Sequence, residues 1–268
     1  MLRPPSADAA RPAALVIAHP GHEVSLHGWL ERTKPVVFVL TDGSGQRDAS
    51  RLASTTRVLE RAGARRGAVY GRFTDRRIYD AVLAGDGIAL GGVAGELTAW
   101  LLRAPAAYVV TDAAEGYNPT HDLCRAITGI ALEAARRASG RATPLYEYVV
   151  TGDRGACLAG RCPGALRWRL DDDALAAKLA AARGYEELGL EVARSLERGG
   201  TESYRVECLH PTSPRAARAA AGGVAFYERH GETRVASAKY ARVIREREHM
   251  APLLSRLWAL AGPPLVAR

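Results

Sequence analysis

Two histidines in one short turn carry the first hint of chemistry in this chain. His19 and His22 lie in Ala18-His19-Pro20-Gly21-His22-Glu23, directly after the apolar run Leu15-Val16-Ile17. A short β-branched run ending in a polar, His-rich turn reads as a buried strand whose carboxyl end opens into a site. In an open α/β sheet that edge is where ligands bind. Two imidazoles on a turn held by a strand can reach one metal ion. A second such turn, Glu115-Gly116-Tyr117-Asn118-Pro119-Thr120-His121-Asp122, follows the strand Tyr108-Val109-Val110, which ends in Thr111-Asp112. His19, His22 and His121 together suggest a three-ligand metal site with one open position. The plainer alternative is a set of polar turn residues with no metal.

The motifs His19-Pro20-Gly21-His22-Glu23 and Asn118-Pro119-Thr120-His121 resemble those of the PIG-L/LmbE-like family of zinc-dependent N-acyl deacetylases. The resemblance runs from about Ala13 to Tyr148. It implies a Zn2+ cofactor held by His19, His22 and His121. It also implies hydrolysis of a small-molecule amide, an N-acylated sugar or amine. The family's first motif reads Ala-His-Pro-Asp-Asp-Glu, with its first Asp as general base; that position is Gly21 here. The first His of the family's second motif assists the transition state, and here it is Asn118. Glu23 matches an acidic residue that orients a ligand His from behind. Arg51 matches an Arg after the second strand, where a guanidinium holds an anionic or carbonyl oxygen. The Glu usual three positions later is Ser54. Asn118 can donate a side-chain N–H to an oxyanion but cannot act as an acid.

Gly21 can neither take nor give a proton, and amide hydrolysis needs both transfers. Three readings stay open. Another carboxylate serves as base, with Asp112 ahead of Glu115 and Asp42. Alternatively, a more acidic metal-bound water needs less help. Or hydrolysis is lost, leaving a non-hydrolytic sugar- or metabolite-binding protein on the same fold. Loop capping accounts equally well for Asp42 and Asp112, and a tight turn for Gly21.

The elements that must place these groups alternate in type. Strands are expected at Leu15 to Ala18, Val36 to Leu40, Ala68 to Tyr70, Ala107 to Val110 and Leu145 to Val150. Helices are expected at Val24 to Arg32, Ala53 to Ala62, Gly95 to Arg103 and Asp122 to Ser139. This is the pattern of an α/β, Rossmann-like fold: a mostly parallel sheet with helices on both faces. Residues 1–12 read as a loose tail and 13–150 as the core. Residues 151–268 read as a C-terminal extension packed on the core, walling the pocket or mediating a homo-oligomer. Within it, Asp171-Asp172-Asp173 starts a helix expected over Ala174 to Arg198, which Gly184 interrupts. A basic helical stretch is expected to about Arg247.

The chain has 268 residues, 47% hydrophobic and 25% charged, ordinary values for a globular protein. No apolar stretch approaches membrane-spanning length, and the first residues lack a signal-peptide core. A cytoplasmic protein without membrane contact is the expectation. The net charge of +8 is spread without aromatic interleaving, which argues against a nucleic-acid groove and suits an anionic small substrate. Cys157 and Cys162, four residues between them in a Gly-rich loop, read as reduced thiols rather than a metal or disulfide site.

Overall fold

A computed structural model describes residues 11–45, 49–151, 164–216 and 223–262. Five strands run parallel: β1 (Ala14–Ile17), β2 (Val36–Thr41), β3 (Arg65–Phe73), β4 (Val109–Asp112) and β5 (Leu145–Tyr148). The sheet has seven strands. Its outer pair comes from the C-terminal half: β6 (Leu166–Arg169) and β7 (Val206–Thr212). The order is β3-β2-β1-β4-β5-β7-β6, and β7 runs antiparallel to both β5 and β6.

The period-two alternation in β1 explains the two-sided packing. Ala14, Val16 and Ala18 join one core, and Leu15 and Ile17 the other. The first core is roofed by α3 (Asp75–Ala84), α4 (Ile88–Arg103), α5 (Pro119–Ser139), α8 (Phe226–Ala236) and α9 (Ala251–Leu260). The second is covered by α1 (His27–Thr33), α2 (Leu52–Ala62), α6 (Asp172–Arg183) and α7 (Gly189–Gly199). Among the described residues, no single helix is long and apolar enough to cross a membrane.

The structure revises several expectations. β3 spans nine residues, because its exposed Arg65, Arg66 and Arg72 hide the strand pattern. Helix α3, capped by the Thr74 side chain on Arg77 N, had no counterpart in the sequence reading. The helix expected over 174–198 is interrupted at Gly184 as the sequence indicated: Gly184 ends α6, and a short turn leads into α7. The basic stretch leaves the helical state after Ala236, where Ser237 caps α8. Cys208 is disulfide-bonded, and Cys124 is buried and free. Cys157 and Cys162, and nearly all of the expected N-terminal tail, lie outside the described residues.

The C-terminal half extends the sheet instead of merely leaning on it. A buried charge cluster locks the two halves. Glu207 of β7, 1% exposed, accepts hydrogen bonds from the backbone N–H of Gly28 and Trp29, both at 2.8 Å. These are unsatisfied donors of the first turn of α1, where a carboxylate also suits the dipole. Trp168 Nε1 donates to Glu207 at 2.9 Å, and Lys178 Nζ at 3.0 Å. Lys178 also donates to Ser25 O at 2.7 Å.

Removing one member of a buried ion pair strands the other. Lys178→Ala is therefore expected to lower the unfolding free energy by about 3 kcal/mol. Urea denaturation followed by circular dichroism measures this; an unchanged midpoint would mean the cluster does not join the halves.

Candidate metal centre

The sheet reverses direction of winding between β1 and β4, and the crevice above their carboxyl ends is the place such folds bind ligands. His19 and His22 enter it from the loop after β1. His121 enters from the first turn of α5, whose N-cap is Asn118. The three imidazoles meet: ring centroids lie 5.3 Å apart for His19–His22, 5.2 Å for His19–His121 and 4.6 Å for His22–His121. A tetrahedral ion bound by three imidazole nitrogens spaces their rings by about 5 Å.

Backbone and side-chain partners fix the tautomers. Thr41 donates its hydroxyl to Ala18 O at 3.1 Å, so it can only accept from His19 Nδ1, at 2.8 Å. Asp75 Oδ1 stands 2.9 Å from the same nitrogen. The proton on Nδ1 leaves His19 Nε2 bare, and this atom is buried without a hydrogen-bond partner. His22 Nδ1 lies 2.9 Å from Asp112 Oδ2, which likewise puts its proton on Nδ1. His121 Nδ1 is buried and unpartnered. Burial, reinforced by the neighbouring His22 and His19, pushes the His121 pKa well down. It is therefore neutral at physiological pH, the form that binds metal. Among the described residues, no three His, Cys, Asp or Glu donors are gathered tightly enough to hold a metal ion as they stand. The crevice offers ring spacing and donor chemistry that fit zinc, with two bare buried nitrogens.

Asp112, Glu115 and Asp42 all accept hydrogen bonds from neighbouring groups. Asp112 is fully buried and fully engaged. Its Oδ2 accepts from Ala18 N at 2.8 Å as well as from His22, and its Oδ1 accepts from the Tyr148 hydroxyl at 2.7 Å. Burial alone would raise its pKa; the charge and hydrogen bond of His22 outweigh that and bring it down to about 2. Asp112 is thus closed off from solvent, with both oxygens engaged and one of them beside the His22 ring. Glu115 accepts from Val150 N, Thr151 N and the Thr151 hydroxyl, which ties its loop to the end of β5. Asp42 accepts from Ser44 N at 2.9 Å, a loop-capping arrangement.

Glu23 holds no imidazole in the structure. Its carboxylate accepts from Gly21 N at 2.8 Å and from the Tyr185 hydroxyl. Burial outweighs these bonds and raises its pKa to about 7. Arg51 packs its side chain over the Gly43–Gly45 turn after β2. Asn118 Oδ1 caps α5 through Thr120 N at 2.8 Å, which leaves its amide N–H groups as the available donors.

Residues the sequence reading missed complete the ring around the imidazoles. Thr41 and Tyr148 end neighbouring strands, so the strand-end rule that found His19 could have found them. Asp75 sits at the start of α3 and had no such signal. Its pKa is held well below the carboxylate range, because His19 outweighs the opposing effect of burial. Beside His121, Tyr117 stacks on Phe226, and Phe226 on His230, forming an exposed aromatic row. Tyr227 instead turns inward and donates to Glu246.

No protein-family model and no curated protein matches this chain. Solved structures do. A deacetylase triple mutant involved in the teicoplanin biosynthetic pathway aligns with a TM-score of 0.51 at 16% identity, covering 75% of this chain and 97% of that one. The A40926 pseudoaglycone deacetylase Dbv21 aligns at 0.47 and 18% identity, over 79% and 100% of the two chains. The 4-carboxy-2-hydroxymuconate hydratase GalB from Pseudomonas putida KT2440 aligns at 0.47 and 17% identity, over 78% and 100%. The chain shares the α/β fold of the teicoplanin-pathway deacetylase.

The depressed His121 pKa sets a pH dependence. In the metal-free protein, the unfolded His121 takes up a proton below about pH 6.5 while the folded one stays neutral, so folded stability falls as pH drops below that point. His121→Gln removes this loss. Between pH 6.5 and 5 the parent should lose up to about 1.4 kcal/mol per pH unit more than the variant. Parallel denaturant titrations at each pH measure the difference; identical slopes would contradict a buried neutral His121.

Proposed function

We propose that this chain is a zinc-dependent amidase- or deacetylase-like hydrolase, acting on an N-acylated sugar or another small-molecule amide. His19, His22 and His121 would hold the metal. One observation carries the reading: two buried imidazole nitrogens, on His19 and His121, lack partners in a crevice where the other His19 and His22 nitrogens are tied down. A bare buried acceptor is unfavourable unless a ligand satisfies it. When bound, zinc supplies Lewis acidity toward an acyl carbonyl and a water molecule. The fold shared with a deacetylase of the teicoplanin pathway supports the choice of amide over other acyl compounds.

The chain's own residues divide the remaining work. Thr41 and Asp75 keep the His19 proton on Nδ1, and Asp112 does the same for His22, so each presents Nε2 to the crevice. Asn118 offers an amide N–H to an oxygen that gains negative charge. Arg51 is the candidate anchor for an anionic part of the substrate. Asp42 is the carboxylate of the sequence-predicted trio with an oxygen that accepts no hydrogen bond among the described residues, and we take it in place of Asp112 as the first choice for base.

One feature favours a second reading, a non-hydrolytic binding protein on the same fold. Position 21 cannot easily regain a carboxylate. Gly21 has φ +103°, in the left-handed region, and a Cβ built there would stand 2.5 Å from Leu188 Cδ1. The turn is closed around glycine.

Three measurements separate these readings. Elemental analysis of the purified protein should find one zinc per chain, and His19→Ala, His22→Ala and His121→Ala should each remove most of it. Unchanged zinc in all three would remove this site from consideration. With N-acetylglucosamine as a first amide, Asp42→Asn should lower kcat by about two to four orders of magnitude while zinc stays bound. Zinc without turnover in the parent, and turnover gained in Gly21→Asp combined with Leu188→Ala, would select the binding-protein reading.

A further inference from the structure

A second cleft, lined by residues of α1, α2 and α6, includes none of the three imidazoles of the metal crevice. It encloses about 190 Å3, room for a molecule of amino-acid size. Small residues of α6, among them Ala177, Ala180 and Ala181, line it on the third side. One wall, from α1, carries His27 and Glu31. The wall from α2 carries Arg57 and Arg61, one helical turn apart.

The opposite charges of these walls do not pair with each other among the described residues. Arg57 and Arg61 have no ion pair among the described residues. Glu31 faces them from α1, yet its nearest cationic partner is His27 Nδ1 at 3.6 Å, beyond hydrogen-bond reach. His27 is 4% exposed, and its Nδ1 has no hydrogen-bond partner. Burial pushes the His27 pKa down, so the ring adds no charge that would pair with Glu31. Arg57 is held in place: its Nη2 donates to Ser54 Oγ at 2.9 Å, and Ser54 donates to Glu187 at 2.8 Å.

We infer that this cleft binds a small zwitterion, an amino acid with an aliphatic side chain. Its carboxylate would meet Arg57 and Arg61, its ammonium Glu31, and its side chain the alanines of α6. Guanidinium–carboxylate bonds are among the stronger polar contacts available to a small ligand. A simple anion would leave Glu31 repelled, and a simple cation would leave both arginines unmatched. Only a ligand carrying both charges answers both walls. The site would act apart from the three imidazoles, so the inference does not depend on whether the crevice holds zinc.

The probe is L-leucine, titrated into the full chain. Isothermal calorimetry reads binding, and two-dimensional NMR of the imidazole resonances reads contact at His27. Leucine is expected to bind with saturation and to shift the His27 ring. Arg61→Ala and Glu31→Gln, both on exposed helix surfaces, should each weaken it at least ~10-fold. Ala180→Leu keeps every charge and fills the alanine side, and should abolish binding. The analogues 4-methylpentanoate, without the ammonium, and 3-methylbutylamine, without the carboxylate, should bind at least ~10-fold more weakly than leucine. The inference is overturned if leucine does not bind, if binding survives Arg61→Ala and Glu31→Gln, or if either analogue matches leucine.

Discussion

A single buried carboxylate holds the crevice together. Asp112 ends β4, and its two oxygens reach three other places: the backbone after β1 at Ala18, the ring of His22, and the hydroxyl of Tyr148 at the end of β5. A charge at full burial is tolerated only when it is paired and hydrogen-bonded. That requirement works in reverse here. Ala18, His22 and Tyr148 must be in place for Asp112 to be buried at all. The strand spacing of β1, β4 and β5 is thereby tied to the orientation of an imidazole. The tilt of the whole crevice rests on this junction.

Much of this was legible in the residues. Leu15-Val16-Ile17 and Tyr108-Val109-Val110 are apolar on both faces, as strands covered on both sides must be. The strand-end rule then brought His19, His22 and His121 to one edge, and the structure places their rings together. The position of Asp112 was legible too, but not its role. Sequence tells that a carboxylate ends a strand; it does not tell which N–H and O–H groups the neighbouring strands aim at it. Asp75 was invisible for a different reason. The strand before it, β3, mixes arginine and glycine among its apolar residues, so only its middle was expected and the helix that follows was not. β6 and β7 failed similarly. Leu-Arg-Trp-Arg and a strand containing Cys208, His210 and Pro211 carry little apolar periodicity.

The C-terminal half repeatedly fills places that the resemblance had left empty. Leu188 occupies the space beside Gly21, and Tyr185 bonds the carboxylate of Glu23. Glu187 brings a carboxylate to Ser54, the position where a glutamate was expected. Two departures in the first half, Gly21 and Ser54, and the matching Glu23 thus meet one short segment, 185–188, in the second. The packing makes these changes mutually consistent: a larger residue at 21 would displace Leu188, and a glutamate at 54 would confront Glu187.

The antiparallel seat of β7 has a consequence for how the chain is made. β5 pairs with β4 on one side and with β7 on the other, and more than fifty residues separate β5 from β7 in sequence. Until β7 has emerged and docked, the outer edge of β5 offers unpaired N–H and C=O groups to any passing strand. Tyr148, whose hydroxyl anchors Asp112, sits on that same strand. The nascent five-stranded sheet is therefore both adhesive and imperfectly braced at its most important end. Slow synthesis or truncation before residue 206 should expose a sticky edge rather than a smaller working protein.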